Sequence, residues 1–218
     1  QRQMCIRDRV QINSGVFNGV RSLKNVDIKA DITTLADETF YGCAALESVT
    51  LSAGVTAIGN KAFFGCAALN GIEFPAALET IGASAFEHCS KIAEITIGKN
   101  VTEIGARAFA GCSSLGKVTF EPTVPPTVGE NAFQGVKNPC AGECPEGSLD
   151  EYLKVEALSP ITFPSSGISL IFGTDVREVE YFDYSGNKIA EPVAGRPVIV
   201  RVTCIDGKVR TARIIVRK

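Results

Sequence analysis

The chain of 218 residues has no tryptophan, one methionine and a single histidine, His88. A lone imidazole with no partner at a helpful spacing weighs against most histidine-dependent catalysis. Charge of one sign is lacking too. Twenty-two Lys and Arg against 24 Asp and Glu leave a formal −2, which excludes a nucleic-acid binder held by bulk electrostatics. No run of about 18 apolar residues occurs, so no segment reads as a membrane-spanning helix. G-x-S-x-G, P-loop, H-E-x-x-H and G-x-G-x-x-G motifs are all missing. Nothing predicts the opposed pair of carboxylates in a cleft that a glycosidase needs. The reading is therefore of no enzyme, no cofactor and no metal site.

What the chain has is a period. "TFYGCAAL", "AFFGCAAL", "AFEHCSKI" and "AFAGCSSL" place Cys43, Cys66, Cys89 and Cys112 at intervals of 23 residues. The same step joins Phe17, Phe40, Phe63, Phe86 and Phe109, and one extra residue near "VPPT" then gives Phe133. Further columns run through Leu23, Leu46, Leu69, Ile92 and Leu115, through Val26, Val49, Ile72, Ile95 and Val118, and through Ile28, Leu51, Phe74, Ile97 and Phe120. Another starts at Ile12 and passes Leu35, Ile58, Ile81 and Ile104. Several columns in one register are the mark of a repeat architecture.

Each unit reads C-x-x-L-x-x-V-x-L-x-x-x-V-T-x-I-G-x-x-A-F-x-G. The L-x-x-V-x-L part alternates as a short strand does, with Val49 and Leu51 on one face and Ser48 and Thr50 on the other. V-T-x-I-G makes a second extended piece, and A-F-x-G-C returns the chain as a helical or 3-10 turn. One unit cannot fold alone. Its six or so large apolar side chains, at roughly 1.5–3 kcal/mol each, do not offset the ordering of its backbone at roughly 1–2 kcal/mol per residue. Stacking buries both faces of every coil, so the expected fold is a mainly β solenoid of α/β repeat type, with short parallel strands.

In such a stack a cysteine per coil is a buried ladder position. Zinc needs ligands converging on a point, commonly as close C-x₂₋₄-C pairs, whereas a ladder spreads them along a line. Rung-to-rung disulfides are disfavoured by parallel Cβ directions. Val20 and Val136 fill the same column in the end coils, which supports packing. Cys43, Cys66, Cys89 and Cys112 are thus read as structural thiols, alongside the Phe17–Phe133 ladder.

Residues 10–138 in this pattern resemble the BspA-like leucine-rich repeat, and "VTEIGARAFAGCSSLGKVTF" (101–120) follows the family pattern almost position for position. The resemblance implies a secreted or surface protein of anaerobic bacteria, some relatives acting as adhesins on host matrix or other bacteria. Residues 139–158 read as a cap, with Ser148 at a helix N-cap and Asp150 and Glu151 in the first turn. The "CPEGSLDEY" segment resembles one that closes such arrays. Cys140 and Cys144 form either a disulfide or two free thiols.

Residues 159–218 read as a small antiparallel β-sandwich, with Asp206–Gly207 as a hairpin turn and Val198, Val200, Val202 and Cys204 sharing one face with Ala212, Ile214 and Val216. "VEYFDYSGNKIA", "VIVRV" and the closing "DGKVRTARIIVRK" resemble the C-terminal sorting domain of type IX secretion cargo, which implies contact with secretion machinery and the outer surface of a Gram-negative bacterium. A plain β cap is the other reading. Arg201, Lys208, Arg210, Arg213, Arg217 and Lys218 alternate as on a solvated sheet face. At the other end "MCIRDR" resembles a translated transposon end used in DNA library preparation. Residues 1–9 accordingly read as a sequencing scar, with the native start and signal peptide missing. The first full strand, near Leu23–Ile28, is then expected to lack an outer neighbour and to fray or self-associate.

Function is placed on the solvent face of the strand ladder: Asn25, Asp27, Ser48, Thr50, Glu73, Glu94, Thr96, Lys117 and Thr119. Small polar residues with scattered charge suit a protein or glycan partner. The alternative is a structural spacer holding a missing, possibly catalytic, domain at the cell surface.

Overall fold

Alternation of the apolar columns produces two short strands per coil. They are separated by turns that Gly, Asn and Asp supply. The computed structural model describes residues 3–6, 12–163, 176–183, 187–189, 197–204 and 209–215. In chain order the first strands are β1 (Gln3–Ile6), β2 (Asn25–Ile28), β3 (Thr34–Leu35), β4 (Ser48–Thr50), β5 (Ala57–Ile58) and β6 (Gly71–Ile72). They continue with β7 (Thr80–Ile81), β8 (Glu94–Ile97), β9 (Glu103–Ile104), β10 (Lys117–Phe120), β11 (Thr127–Val128), β12 (Cys140–Glu143) and β13 (Ile161–Thr162). All pairings among them are parallel.

One wall of the solenoid is a continuous sheet, β11-β9-β7-β5-β3. The other is broken into β1-β2-β4-β6 and β13-β12-β10-β8. The break falls at the two-residue strand β6. Pro75 follows the strand segment of that coil; it has no N–H to return to the coil before, as the corresponding Glu121 N does to Ile97 O at 2.9 Å, yet β6 stays paired with β4 and the interruption lies on the β8 side.

Most of the expected core is observed, but Val20, read as filling the cysteine column, is exposed, and Leu51, Phe74 and Val136 are half-buried. Phe40, Phe63, Phe86, Phe109 and Phe133 are fully buried, and Phe17 packs half-buried against them. Their rings stack coil on coil with centroids 4.9–5.3 Å apart. The return segment is not helical. Tyr41 N donates to Glu38 O and Cys43 N to Phe40 O, both at 3.1 Å, as successive isolated turns. Two left-handed residues per coil prevent helix propagation. One column is Gly42, Gly65, His88, Gly111 and Gly135, and the other includes Glu38, Lys61, Ser84, Arg107 and Asn131. The fold is thus mainly β with almost no helix, and the α/β label is corrected.

The glycine after the second strand has a different task. A Cβ on Gly59, Gly82, Gly105 or Gly129 would come within 2.7 Å of backbone in the coil before. That column keeps the coils at strand spacing.

The first strand is a correction. β1 pairs with β2 from Gln3↔Asn25 to Ile6↔Ile28, so the strand near Leu23–Ile28 has an outer neighbour. The offset is 22 residues rather than 23, which is why stepping by 23 missed it. Of the residues 1–9 read as a scar, Gln3–Ile6 lie in the sheet, and 1, 2 and 7–9 are outside the described residues.

At the far end the stack runs beyond the repeats. β12 pairs with β10, and β13 pairs with β12. The helix α1 (Leu149–Leu153) follows Ser148, whose side chain makes no capping bond. Tyr152 from α1 is fully buried against Phe120 and Phe163, and its hydroxyl donates to Pro122 O at 2.7 Å. The chain divides into the units Gln1–Phe163 and Pro164–Lys218, so Ile161–Phe163 belong to the solenoid rather than to the tail.

Cys140 and Cys144 sit at either end of an extended segment. Four residues at about 3.3 Å each put them far beyond the ~7 Å Cα limit for a disulfide. Both thiols are free.

The second unit contains β14 (Val176–Phe182), β15 (Lys188–Ile189), β16 (Pro197–Cys204) and β17 (Val209–Ile215), an antiparallel sheet in the order β15-β14-β16-β17. Val198 pairs with Ile214 and Val200 with Ala212, as the alternation predicts. The described residues of this unit form this one sheet, and the expected sandwich is not shown. The Asp206–Gly207 turn, Val216, Lys208, Arg217 and Lys218 lie outside them.

Candidate binding face of the strand ladder

Period-2 alternation decides which side chains reach solvent. Val26, Val49, Ile72, Ile95 and Val118 are buried, and the nine predicted face residues between and beside them are exposed or half-exposed. The break between β6 and β8 divides them. Asn25, Asp27, Ser48, Thr50 and Glu73 lie on the first sheet's side, and Glu94, Thr96, Lys117 and Thr119 on the second's.

Several face residues are tied coil to coil. Ser48 Oγ donates to Asn25 Oδ1 of the coil before at 2.7 Å, and within one coil Lys29 pairs with Asp27 at 3.3 Å. Lys24 bridges to Glu47 at 3.0 Å in the column beside them. On the far sheet Lys117 lies 3.1 Å from Glu143, and Thr119 Oγ1 donates to Glu143 Oε2 at 3.2 Å. Lys117 and then Thr119 hold the Glu143 carboxyl below its ordinary range. Glu143 was not legible as a face residue, because "CAGE" breaks the repeat pattern and only the β10–β12 pairing places it beside Lys117.

The thiol ladder points away from this chemistry. Cys43, Cys66, Cys89 and Cys112 are fully buried. Each Sγ donates to the carbonyl of the previous coil's phenylalanine, at 3.0–3.2 Å. Burial raises all four thiol pKa values, that of Cys112 to about 12. These thiols are protonated and hydrogen-bonded inside the core, the opposite of a nucleophile's environment. Among the described residues no three His, Cys, Asp or Glu side chains are grouped to hold a metal ion.

A second cluster escaped the sequence reading. Glu87 is almost fully buried, and both oxygens accept from Arg107 Nε at 3.2 Å while Nη2 adds a further bond. That pairing lowers the Glu87 pKa. His88, read as a loop residue, is left-handed at φ +62 where other coils have glycine. Its ring meets Phe64 edge-on at 5.6 Å. The only signal was negative: His88 breaks the glycine column, while Glu87 falls at a variable position of the unit.

The geometry is that of a leucine-rich repeat solenoid displaying a polar strand face. The BspA type leucine rich repeat pattern matches residues 10–139 in six copies, and the chain belongs to that family. The fold is similar to a T. pallidum leucine rich repeat protein, at TM-score 0.54 and 23% identity, over 70% of this chain and 83% of that one. A leucine-rich repeat protein from Bacteroides ovatus matches at TM-score 0.47 and 20% identity, over 61% of this chain and 49% of its own. A leucine rich cell surface protein from Faecalibacterium prausnitzii matches at TM-score 0.34 and 20% identity, over 55% and 48%. No curated protein matches the sequence. Among the described residues no helix is long and apolar enough to cross a membrane.

Proposed function

We propose that the chain is a non-enzymatic, adhesin-like binding module presented outside the cell, with the strand face meeting a protein or glycan. The carrying observation is that face itself: nine polar positions held outward by a buried ladder, on strands whose register is fixed on the core side. Such a surface needs little ordering to bind, which keeps the entropic cost of association low. Glu73 and Glu94 flank the break, and Lys117 lies beyond it.

The test is a charge-reversed variant, Glu73→Lys with Glu94→Lys and Lys117→Glu, compared with the unaltered chain on immobilised matrix proteins and a glycan array. Retained folding with a loss of affinity of about tenfold or more, which is about 1.4 kcal/mol, supports the face. Equal binding by the variant moves the site elsewhere, and no binding by either chain leaves the spacer reading.

For the tail, the proposal is a type IX sorting role at a Gram-negative outer surface, resting on "VEYFDYSGNKIA" and "DGKVRTARIIVRK". Residues 159–218 fused to an inert periplasmic cargo should carry it to the surface of a bacterium with that secretion system. Periplasmic retention of a folded fusion leaves the plain β cap.

A further inference from the structure

Asparagine followed by glycine can cyclise, because glycine has no Cβ to hinder its nitrogen and its backbone turns freely. The chain has two such pairs, Asn18–Gly19 and Asn70–Gly71, and the fold treats them differently. We propose that Asn70–Gly71 is a site of spontaneous covalent modification, deamidating to aspartate and isoaspartate in the folded protein, while Asn18–Gly19 is protected.

Four observations converge on Asn70. It is exposed, and no hydrogen bond holds its side chain among the described residues. Gly71 begins the two-residue strand β6, which pairs with Ser48 and Val49 of β4 on one side and has no strand pairing to the next coil on the other. A Cβ on Gly71 would meet nothing within 4 Å, so the local space is open. Gly19, by contrast, donates its N–H to Tyr41 O at 2.7 Å and is held left-handed at φ +71. Its nitrogen must break a short inter-coil bond before it can attack.

Other asparagines are guarded at the side chain. Asn60 Oδ1 accepts from Ala83 N at 2.8 Å, and Asn100 Nδ2 donates to Ala76 O at 2.8 Å. Each also precedes a bulkier residue, Lys61 or Val101.

In the reaction the Gly71 nitrogen attacks the Asn70 Cγ. A C–N bond forms to Gly71, the bond to the side-chain amide nitrogen breaks, and ammonia leaves with the proton that Gly71 gives up. Water then opens the succinimide at either carbonyl, giving Asp or an isoaspartyl link with one extra backbone methylene. The product adds a negative charge in the column of Lys24 and Glu47, one strand spacing from Glu47, where like charges oppose each other. It also adds backbone length where the ladder is already interrupted.

The experiment incubates the full chain at neutral and mildly alkaline pH and maps its peptides by mass spectrometry. The peptide containing residues 70 and 71 should gain about 1 Da, as expected for loss of this thermolabile amide. The gain should be several-fold faster than at Asn18, faster at higher pH, and split into Asp and isoaspartyl forms. In denaturant the two sites should react at similar rates. Gly71→Ala, which the open space accommodates, should slow reaction at Asn70 and leave Asn18 unchanged. Equal native rates at the two sites, or a native Asn70 that does not react, would overturn the proposal.

Discussion

At the scale of single residues, the cysteines show how burial converts a reactive group into a structural one. All four ladder thiols lie in the core, so alkylation of Cys66 or Cys89 should occur only after denaturation. Rapid labelling of the native chain would contradict the packing. The raised pKa values also give a pH dependence. Unfolded thiols ionise near about 8.5, whereas the folded Cys112 holds its proton to about 12 and Cys66 and Cys89 shift in the same direction. The folded state therefore binds more protons in this window. Its thiol contribution is full below the unfolded value and is lost as pH rises from there toward the folded values. Thermal melts should show a falling midpoint above about pH 9, and replacing Cys89 and Cys112 by Ala should flatten that fall while lowering the midpoint at pH 7.

At the scale of elements, the coil-to-coil ladders set the cost of a change. Phe63 stacks between Phe40 and Phe86 at 5.3 and 4.9 Å. Phe63→Ala should destabilise by about 3–5 kcal/mol in chemical denaturation, as buried phenylalanine truncations do. A loss under about 1 kcal/mol would mean the ladder is not tightly packed. Glycines divide in the same way. A Cβ on Gly105 would lie 2.4 Å from Ala83 N, in the backbone of the preceding coil, so Gly105→Ala should cost about 3 kcal/mol. Gly71→Ala meets open space and should cost less than about 0.5 kcal/mol. At the cap, Tyr152→Phe leaves the buried Pro122 carbonyl without its donor and should cost about 1–3 kcal/mol by the same measurement.

At the scale of the whole molecule, the solenoid has one unbroken wall, one broken wall and an aromatic stack running through both halves. Phe63 and Phe86 carry that stack across the coils where β6 and β8 do not pair. Nearest-neighbour coupling therefore persists, and the break should appear as a local opening rather than a domain boundary. Native-state hydrogen exchange should be faster at Ile72 and Glu73 than at Val49 and Val118, with global unfolding remaining a single transition for the solenoid. Uniform protection along the wall would show that backbone pairing there is stronger than the strand pattern indicates.

The sequence alone determined the period, the buried columns and the outward face, because a strand's side chains alternate by geometry and a 23-residue repeat repeats that geometry. Val49 in and Ser48 and Thr50 out needed no coordinates. It could not place β1, whose offset of 22 falls outside the repeat step, nor β12 and β13, which pair without carrying the motif. Tertiary structure alone brought Glu143 beside Lys117 and Arg107 onto a buried Glu87, and it interrupted one wall at β6. Those outcomes depend on which backbones lie one coil apart, and distances between coils are fixed by packing rather than by position in the chain.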